Sequence, residues 1–177
     1  MKVFTLGYQN LSAELYVRSL INAGVNLVLD VREHAWSQRP AFIKSNLERS
    51  LRAAGIKYLH LRGAGNPSRN RKTARSAAEC MRRYRKHLRD NRDCLNQVIE
   101  AVQSAERLGG VACLTCYERK PEDCHRSVLM EELIKLMPDL KPVHLEPSLE
   151  LKKKVKNLGK PSLNASAFLA PQFLPFT

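Results

Sequence analysis

Long apolar segments are absent from this sequence. No run approaches the roughly 20 consecutive apolar residues that a helix needs to cross a bilayer. The N-terminal segment 1–7 is too short to be a signal peptide and shows no small-residue cleavage pattern. We therefore expect a cytoplasmic protein without a membrane partner.

Cysteine and aromatic residues are also few. The five cysteines are an odd number, which argues against a complete disulfide framework, and cytoplasmic thiols stay reduced. Aromatic residues make up only 6% of the chain. Few are placed to stack bases, because Tyr84 is predicted to face inward and Trp36 lies in a loop. Sequence-specific readout of single-stranded nucleic acid is therefore not expected.

Acidic residues are scarce beside basic ones. The chain has 30 Lys and Arg against 17 Asp and Glu, a formal net charge of +13. Segment 49–92 holds 14 of the basic side chains and only Glu79 and Asp90 as acids, which gives it a charge of +12. Such a concentration is typical of a protein that binds a polyanion, so the predicted partner is nucleic acid or a nucleotide. The alternative is a solvated helix face that only aids solubility.

Strand and helix signals alternate along the chain. Short apolar runs, of which 25–32 is the strongest, are separated by segments with apolar residues at helical spacing. The predicted strands are 3–6, 25–32, 56–61, 111–116 and 141–146. The predicted helices are 12–23, 45–54, 76–92, 94–108 and 125–137, with a loop at 62–73.

This alternation predicts the fold class. Strands that alternate with helices indicate βαβ units and a mainly parallel sheet. We therefore predict an α/β fold: a single three-layer domain over residues 1–147, with about five strands flanked by helices. Residues 148–177 carry five lysines and several prolines, and we predict a basic C-terminal tail there.

The predicted helix 76–92 is amphipathic and strongly basic. Its inward-facing residues are predicted to be Ala77, Met81, Tyr84 and Leu88. The residues predicted to bind nucleic acid are Arg75, Arg82, Lys86 and Arg89.

Polar and reactive side chains follow the predicted strands. In an open parallel sheet, ligands bind beside the carboxyl ends of the strands, where these side chains converge. The predicted catalytic residues are Asp30, Glu118, Cys124 and His125. The predicted phosphate- or anion-binding residues are Tyr8, Arg32, His60 and Arg126. A structural ion pair between Asp30 and Arg32 is the alternative for those two.

The segment 116–126 is the centre of this prediction. It leads from a buried strand to the start of a helix, where free N–H groups favour an anion and lower the pKa of a nearby thiol such as Cys124. Arg126 can bind phosphate through two parallel hydrogen bonds, and Glu118 can act as a general acid or base. The alternative is that Arg126 and Glu118 pair to hold the loop.

A metal site is the rival chemistry for the cysteines. Cys113 and Cys116 form a C-x2-C pair, and Cys124 with His125 could complete a tetrahedral zinc set. Against this, Cys113 lies in an apolar strand whose residues alternate faces, and adjacent residues rarely face one metal together. We therefore assign no metal and no cofactor from the sequence.

Several segments occur in a familiar order, namely 5–8, 29–32, 55–60, 116–126 and 142–145. Together they resemble the motifs of domain-of-unknown-function family 488, over roughly residues 3–146. The most specific is Cys-x-Glu…Pro-x-x-Cys-His-Arg, in which five residue types recur at fixed spacing. The resemblance implies an α/β domain and a shared site without supplying a reaction. The site residues it implies are Asp30, Arg32, Glu118, Cys124, His125 and Arg126.

Three functions are compatible with these patterns. The favoured one is an enzyme that acts on a nucleotide or nucleic-acid substrate at the strand ends. The first alternative is a non-catalytic nucleic-acid-binding module that uses segment 49–92. The second is a cysteine-based metal or redox site.

Overall fold

Five strands and six helices alternate along residues 1–147, the part of the chain that the structure, a computed structural model, describes. The strands are β1 (Lys2–Gly7), β2 (Val25–Asp30), β3 (Lys57–His60), β4 (Val111–Cys116) and β5 (Lys141–His144). The helices are α1 (Ala13–Asn22), α2 (Lys44–Ala53), α3 (Ser68–Thr73), α4 (Ala77–Asp90), α5 (Arg92–Arg107) and α6 (His125–Leu136). Within these residues, none of the helices has the length and apolar character needed to cross a membrane. The predicted tail 148–177 lies outside the described residues.

The sheet is parallel throughout, with the strand order β3-β2-β4-β1-β5. β4 therefore lies between β1 and β2, although it comes much later in the chain. Gly7 at the end of β1 and Cys116 at the end of β4 are opposite each other, and Asp30 at the end of β2 is opposite Thr115. The carboxyl ends of these three strands thus lie side by side, where ligands bind in such sheets.

Helices cover both faces of the sheet. Alternate strand residues face opposite sides, so in β4 Cys113 packs into the core beneath α1 and α2, whereas Leu114 packs beneath α4, α5 and α6. The predicted three-layer α/β fold class is confirmed.

Local signals explain the best-predicted elements. Val28, Leu29 and Val31 are fully buried in and after β2, as expected for a strand covered on both faces. α1 follows Ser12, whose hydroxyl accepts a hydrogen bond from the N–H of Leu15 at 3.1 Å. This cap satisfies one of the free N–H groups at the helix start.

The prediction of a loop at 62–73 is wrong in part. Arg62–Ala64 forms a 3-10 turn, and Ser68–Thr73 forms α3. The carboxylate of Glu33 accepts a hydrogen bond from the N–H of Ser68 at 2.6 Å and so caps α3. Because this cap comes from 35 residues away, the local Gly, Asn and Pro content could not reveal the helix.

One residue of α4 departs from its predicted orientation. Tyr84 and Leu88 are fully buried and Met81 is half-buried, as the helical spacing predicts. Ala77 is exposed, so its predicted inward position is wrong. It is the first residue of α4 and lies at the surface, while Cys80 in the next turn is buried.

Candidate functional site

Asp30 and Arg32 form a buried ion pair at the end of β2. Arg32 donates from Nε to one carboxylate oxygen at 2.8 Å and from Nη2 to the other at 2.5 Å. The same carboxylate accepts a hydrogen bond from the Tyr58 hydroxyl at 2.7 Å, and His60 donates from Nε2 to the Arg32 carbonyl at 2.8 Å. Both charges are satisfied within the protein, which favours a structural role for the pair.

Arg32 also anchors the loop that follows β2. Its Nη1 donates to the Tyr8 hydroxyl at 2.8 Å and to the Phe42 carbonyl at 3.0 Å. The rings of Tyr8 and Phe42 are stacked, with centroids 4.2 Å apart. Burial opposes the charge on Arg32, but the Asp30 carboxylate outweighs it and raises the pKa of the guanidinium. The loop 33–41 is therefore held by a permanently charged group.

The end of β1 touches the loop that follows β4. The N–H of Tyr8 donates to the Cys116 carbonyl at 3.1 Å, so pairing continues past the end of the strand. At Gly7 the approach is so close that a Cβ would lie 1.7 Å from the Glu118 carbonyl oxygen and 2.9 Å from Nη2 of Arg126. A side chain at position 7 is therefore incompatible with the present position of Glu118.

Reactive groups converge where β4 leads into α6; we call Cys116, Glu118, Cys124 and His125 the reactive cluster. Their potential ligand atoms all lie within 4.8 Å of one another. The Cys116 thiol donates to Oε2 of Glu118 at 3.2 Å, and Nδ1 of His125 lies 3.6 Å from Sγ of Cys116 and 3.9 Å from Sγ of Cys124. On its other side, the His125 ring donates from Nε2 to the Val31 carbonyl at 2.8 Å.

Arg126 is buried beside the reactive cluster and contacts it. It is 1% exposed, and its Nε donates to Sγ of Cys124 at 3.2 Å. Its Nη2 donates to the Glu118 carbonyl at 2.5 Å. The guanidinium therefore binds the loop and a thiol of the protein itself, which favours a positioning role over the predicted contact with a substrate phosphate.

The start of α6 explains how adjacent side chains reach one point. Cys124 has an extended backbone (φ −120°, ψ 142°) and immediately precedes the helix, whereas His125 is the first helical residue. The change of conformation between them brings both side chains into the reactive cluster, so the expectation that neighbours do not converge is wrong. Cys113 lies on the opposite face of β4, and Glu118 takes the place expected for it.

Electrostatics favour a thiolate at Cys124. Burial alone would raise the pKa of this thiol, but the neighbouring Cys116 and His125 side chains and the charge of Arg126 lower it well below its ordinary value. The thiol of Cys116 shows the opposite shift: the neighbouring Cys124, followed by burial, raises its pKa. The two thiols titrate as a pair, and the first proton leaves from Cys124.

The pKa values of the other two members of the reactive cluster are raised. Burial, followed by the Cys124 charge, raises the pKa of Glu118 and brings this carboxyl closer to neutral pH. Burial opposes protonation of His125, but the hydrogen bond and charge of Cys124 outweigh it and raise the pKa of the ring. Groups with shifted pKa values at a strand end are typical of catalytic sites.

A cavity of about 870 Å³ opens beside the reactive cluster. Cys116, Glu118 and His125 line it. It is also lined by residues that we call the arginine group, namely Arg39, Arg71 and Arg75. These arginines come from the loop after β2, from α3 and from the turn before α4, so the fold brings cations from three segments to one cavity.

The predicted site residues divide into two sets around this cavity. Tyr8, Arg32, Glu118, His125 and Arg75 line it. The others lie outside its lining and are buried or half-buried behind the strand ends, namely Asp30, His60, Cys124 and Arg126. Cys124 is fully buried and does not line the cavity, but its Sγ lies 3.9 Å from Nδ1 of His125, which does.

The remaining predicted nucleic-acid-binding residues lie on the solvent face of α4. Arg82 is 3.9 Å from Glu79, Lys86 is 2.6 Å from Asp90, and the third of them, Arg89, is 3.6 Å from Glu132. Each cation therefore has an acidic neighbour. Glu79 and Asp90 are already included in the charge of +12 of segment 49–92, so only Glu132, which belongs to α6, weakens the field further.

Sequence reasoning missed the roles of Arg39 and Arg71. The strand-end rule could have found Arg39, because it lies in the loop after β2. Its guanidinium donates to the carbonyls of Tyr8 (2.8 Å) and Leu11. Arg71 could not be placed, since it belongs to α3, which local composition did not reveal.

The sequence model of one protein family, described as domain of unknown function DUF488, matches residues 12–133. The chain belongs to this family. The match includes the reactive cluster of this DUF488 protein and the ion pair at the end of β2, while the motifs at 5–8 and 142–145 lie outside it. No match was found among curated proteins or among solved structures.

Proposed function

We propose that this DUF488 protein is a cytoplasmic enzyme that acts on a nucleotide or nucleic-acid substrate in the cavity at the strand ends. One observation carries the proposal: a single cavity is lined both by the reactive cluster and by the arginine group. Cations that converge from separate segments suit a phosphate, and groups with shifted pKa values suit proton transfer.

The arginine group would bind the phosphate. Among residues 1–147 no carboxylate lies within ion-pair distance of Arg39 or Arg75, and Arg71 lies 3.6 Å from Glu33. Arg39 and Arg71 each also donate to backbone carbonyls, so Arg75 is the member whose guanidinium has no hydrogen-bond partner among these residues. Trp36 lines the same cavity and is 64% exposed, so its ring is free to stack on a base. These features favour a substrate that carries a base and a phosphate together.

The reactive cluster would transfer a proton to or from the substrate. Glu118 lines the cavity, and its raised pKa suits a general acid or base near neutral pH. Cys116 and His125 lie beside it and connect it to the buried Cys124 thiolate. The ion pair of Asp30 and Arg32 would position the loop that carries Trp36 and Arg39.

Removing two members of the arginine group should weaken nucleotide binding. The double variant Arg71→Ala/Arg75→Ala is expected to bind ADP about tenfold more weakly or worse, because two charge-assisted contacts to phosphate are lost. Trp36 is the only tryptophan, so its fluorescence on titration with ADP reports binding at the cavity.

A charge-matched variant provides the control. Arg82→Ala/Lys86→Ala removes two cations from the solvent face of α4 and should leave the ADP affinity unchanged. The opposite result, in which only the α4 variant binds ADP or a single-stranded oligonucleotide less well, would favour the non-catalytic nucleic-acid-binding module.

Glu118→Gln should separate catalysis from binding. Full-length protein is incubated with nucleoside mono-, di- and triphosphates and with short DNA and RNA strands, and products are identified by chromatography and mass detection. For the substrate so found, the variant is expected to turn over about 100-fold more slowly, because proton transfer at the cavity is lost. Its affinity for that substrate should change little. Equal turnover by the variant, or no product from any compound tested, would contradict the proposal.

A further inference from the structure

The reactive cluster has the dimensions of a tetrahedral zinc site. Zinc binds sulfur at about 2.3 Å and nitrogen or oxygen at about 2.0–2.2 Å, so neighbouring ligand atoms in a tetrahedron lie about 3.3–3.8 Å apart. Here Sγ of Cys116 is 3.2 Å from Oε2 of Glu118 and 3.6 Å from Nδ1 of His125. Sγ of Cys124 is 3.9 Å from the same nitrogen. These three separations lie within or close to the tetrahedral range, and the four ligand atoms all lie within 4.8 Å of one another, so shifts of at most about 1 Å would place them around one ion.

The orientation of His125 gives a second, independent indication. The Val31 carbonyl can only accept a hydrogen bond, so the contact at 2.8 Å requires a proton on Nε2 of the ring. In the neutral ring, Nδ1 then carries the lone pair, and this atom faces both thiols. Histidine ligands of metals are held in this way, with the second nitrogen donating to a carbonyl or carboxylate.

Charge and ligand type point to the same ion. Two thiolates and one carboxylate carry three negative charges, which one Zn²⁺ and the guanidinium of Arg126 at 3.2 Å from Cys124 would balance. Sulfur and imidazole ligands favour zinc over magnesium or calcium, which prefer oxygen. Cys116, Cys124 and His125 are each no more than 6% exposed, so water is largely excluded from three sides of the site.

We propose that Cys116, Cys124, His125 and Glu118 bind one Zn²⁺ ion. The first three residues are the firm ligands, and Glu118 occupies the fourth position on the cavity side, where water or a substrate oxygen can replace it. The site goes beyond the proposed function, which requires no metal, and it differs from the sequence alternative because Glu118 stands where Cys113 was expected.

Zinc content tests the proposal directly. Full-length protein without a histidine tag is dialysed against metal-free buffer and measured by plasma mass spectrometry. We expect about one zinc per chain, and almost none in Cys116→Ala/Cys124→Ala. The matched control, Cys80→Ala/Cys94→Ala, removes two buried thiols outside the reactive cluster and should keep its zinc. Wild-type protein without stoichiometric zinc, or a Cys116/Cys124 variant that retains it, would overturn the proposal.

Cobalt provides a readout that does not depend on how well a variant folds. Metal-free wild-type protein is titrated with Co²⁺ and its absorption recorded. We expect the strong visible bands of tetrahedral Co²⁺ and near-ultraviolet thiolate-to-cobalt charge transfer, with one equivalent bound. A weak octahedral spectrum, or a disulfide between Cys116 and Cys124 in place of metal binding, would overturn the zinc site. Zinc without nucleotide turnover would contradict only the proposed function, and turnover by wild-type protein that carries no zinc as purified would contradict only the metal site.

Discussion

Asp30→Ala is expected to lower the free energy of unfolding by about 3–5 kcal/mol, the range for breaking a buried ion pair from one side. The substitution leaves the Arg32 guanidinium, 6% exposed, without its counter-ion, and it deprives the Tyr58 hydroxyl of an acceptor. Denaturant unfolding of full-length protein under reducing conditions measures the effect.

A double-mutant cycle shows whether the loss of stability in Asp30→Ala comes from breaking the ion pair with Arg32. Asp30→Ala/Arg32→Met removes both charges, so it should cost clearly less than the sum of the two single variants. Glu48→Ala breaks the exposed pair with Arg52 at 2.9 Å and should cost less than about 1 kcal/mol. If Asp30→Ala were as mild as this control, Asp30 would not be the structural anchor described here, and its predicted catalytic role would regain support.

Gly7→Ala is expected to destabilise the protein by about 3 kcal/mol or more. Its methyl group would lie 1.7 Å from the Glu118 carbonyl oxygen, and backbone cannot move aside as a flexible side chain can. Relief of the clash requires the loop after β4 to shift, which would also pull Glu118 and its partner Arg126 away from the reactive cluster. Denaturant unfolding gives the energetic effect, and zinc content gives the effect on the site.

Gly63→Ala is the comparison for this prediction. A Cβ there would meet only the Cβ of Cys94, at 3.2 Å, so a small adjustment suffices and the cost should stay near 1 kcal/mol. An equal loss of unfolding free energy in the two variants would show that the close approach of Glu118 does not exclude a side chain at position 7.

The sequence predicted the fold well where the signal is local. The apolar run of β2 reflects burial on both faces, and the Ser12 cap lies next to the helix it begins. α3 was missed because its cap is the distant Glu33. Patterns of apolar spacing therefore identified the layers, while a helix held by a long-range hydrogen bond could not be seen.

The sequence predicted which residues form the candidate site better than it predicted how their side chains are arranged. The strand-end rule and the family motif selected Glu118, Cys124 and His125. They could not show that Cys124 lies fully buried or that Arg126 faces a thiol of the protein, because both depend on side-chain packing. Spacing alone suggested Cys113 as a partner of Cys116, although three residues along a strand place them on opposite faces.

The strand order has a consequence for how this protein folds. β2 and β3 are close in sequence and can pair early, but Leu6 of β1 pairs with Thr115 of β4 across 109 residues. Closing so long a loop is slow, so the β1–β4 pairing is expected among the last events. Gly7 meets Glu118 only through that pairing. The loop after β4, which carries Glu118, should therefore reach its final position only when folding is nearly complete.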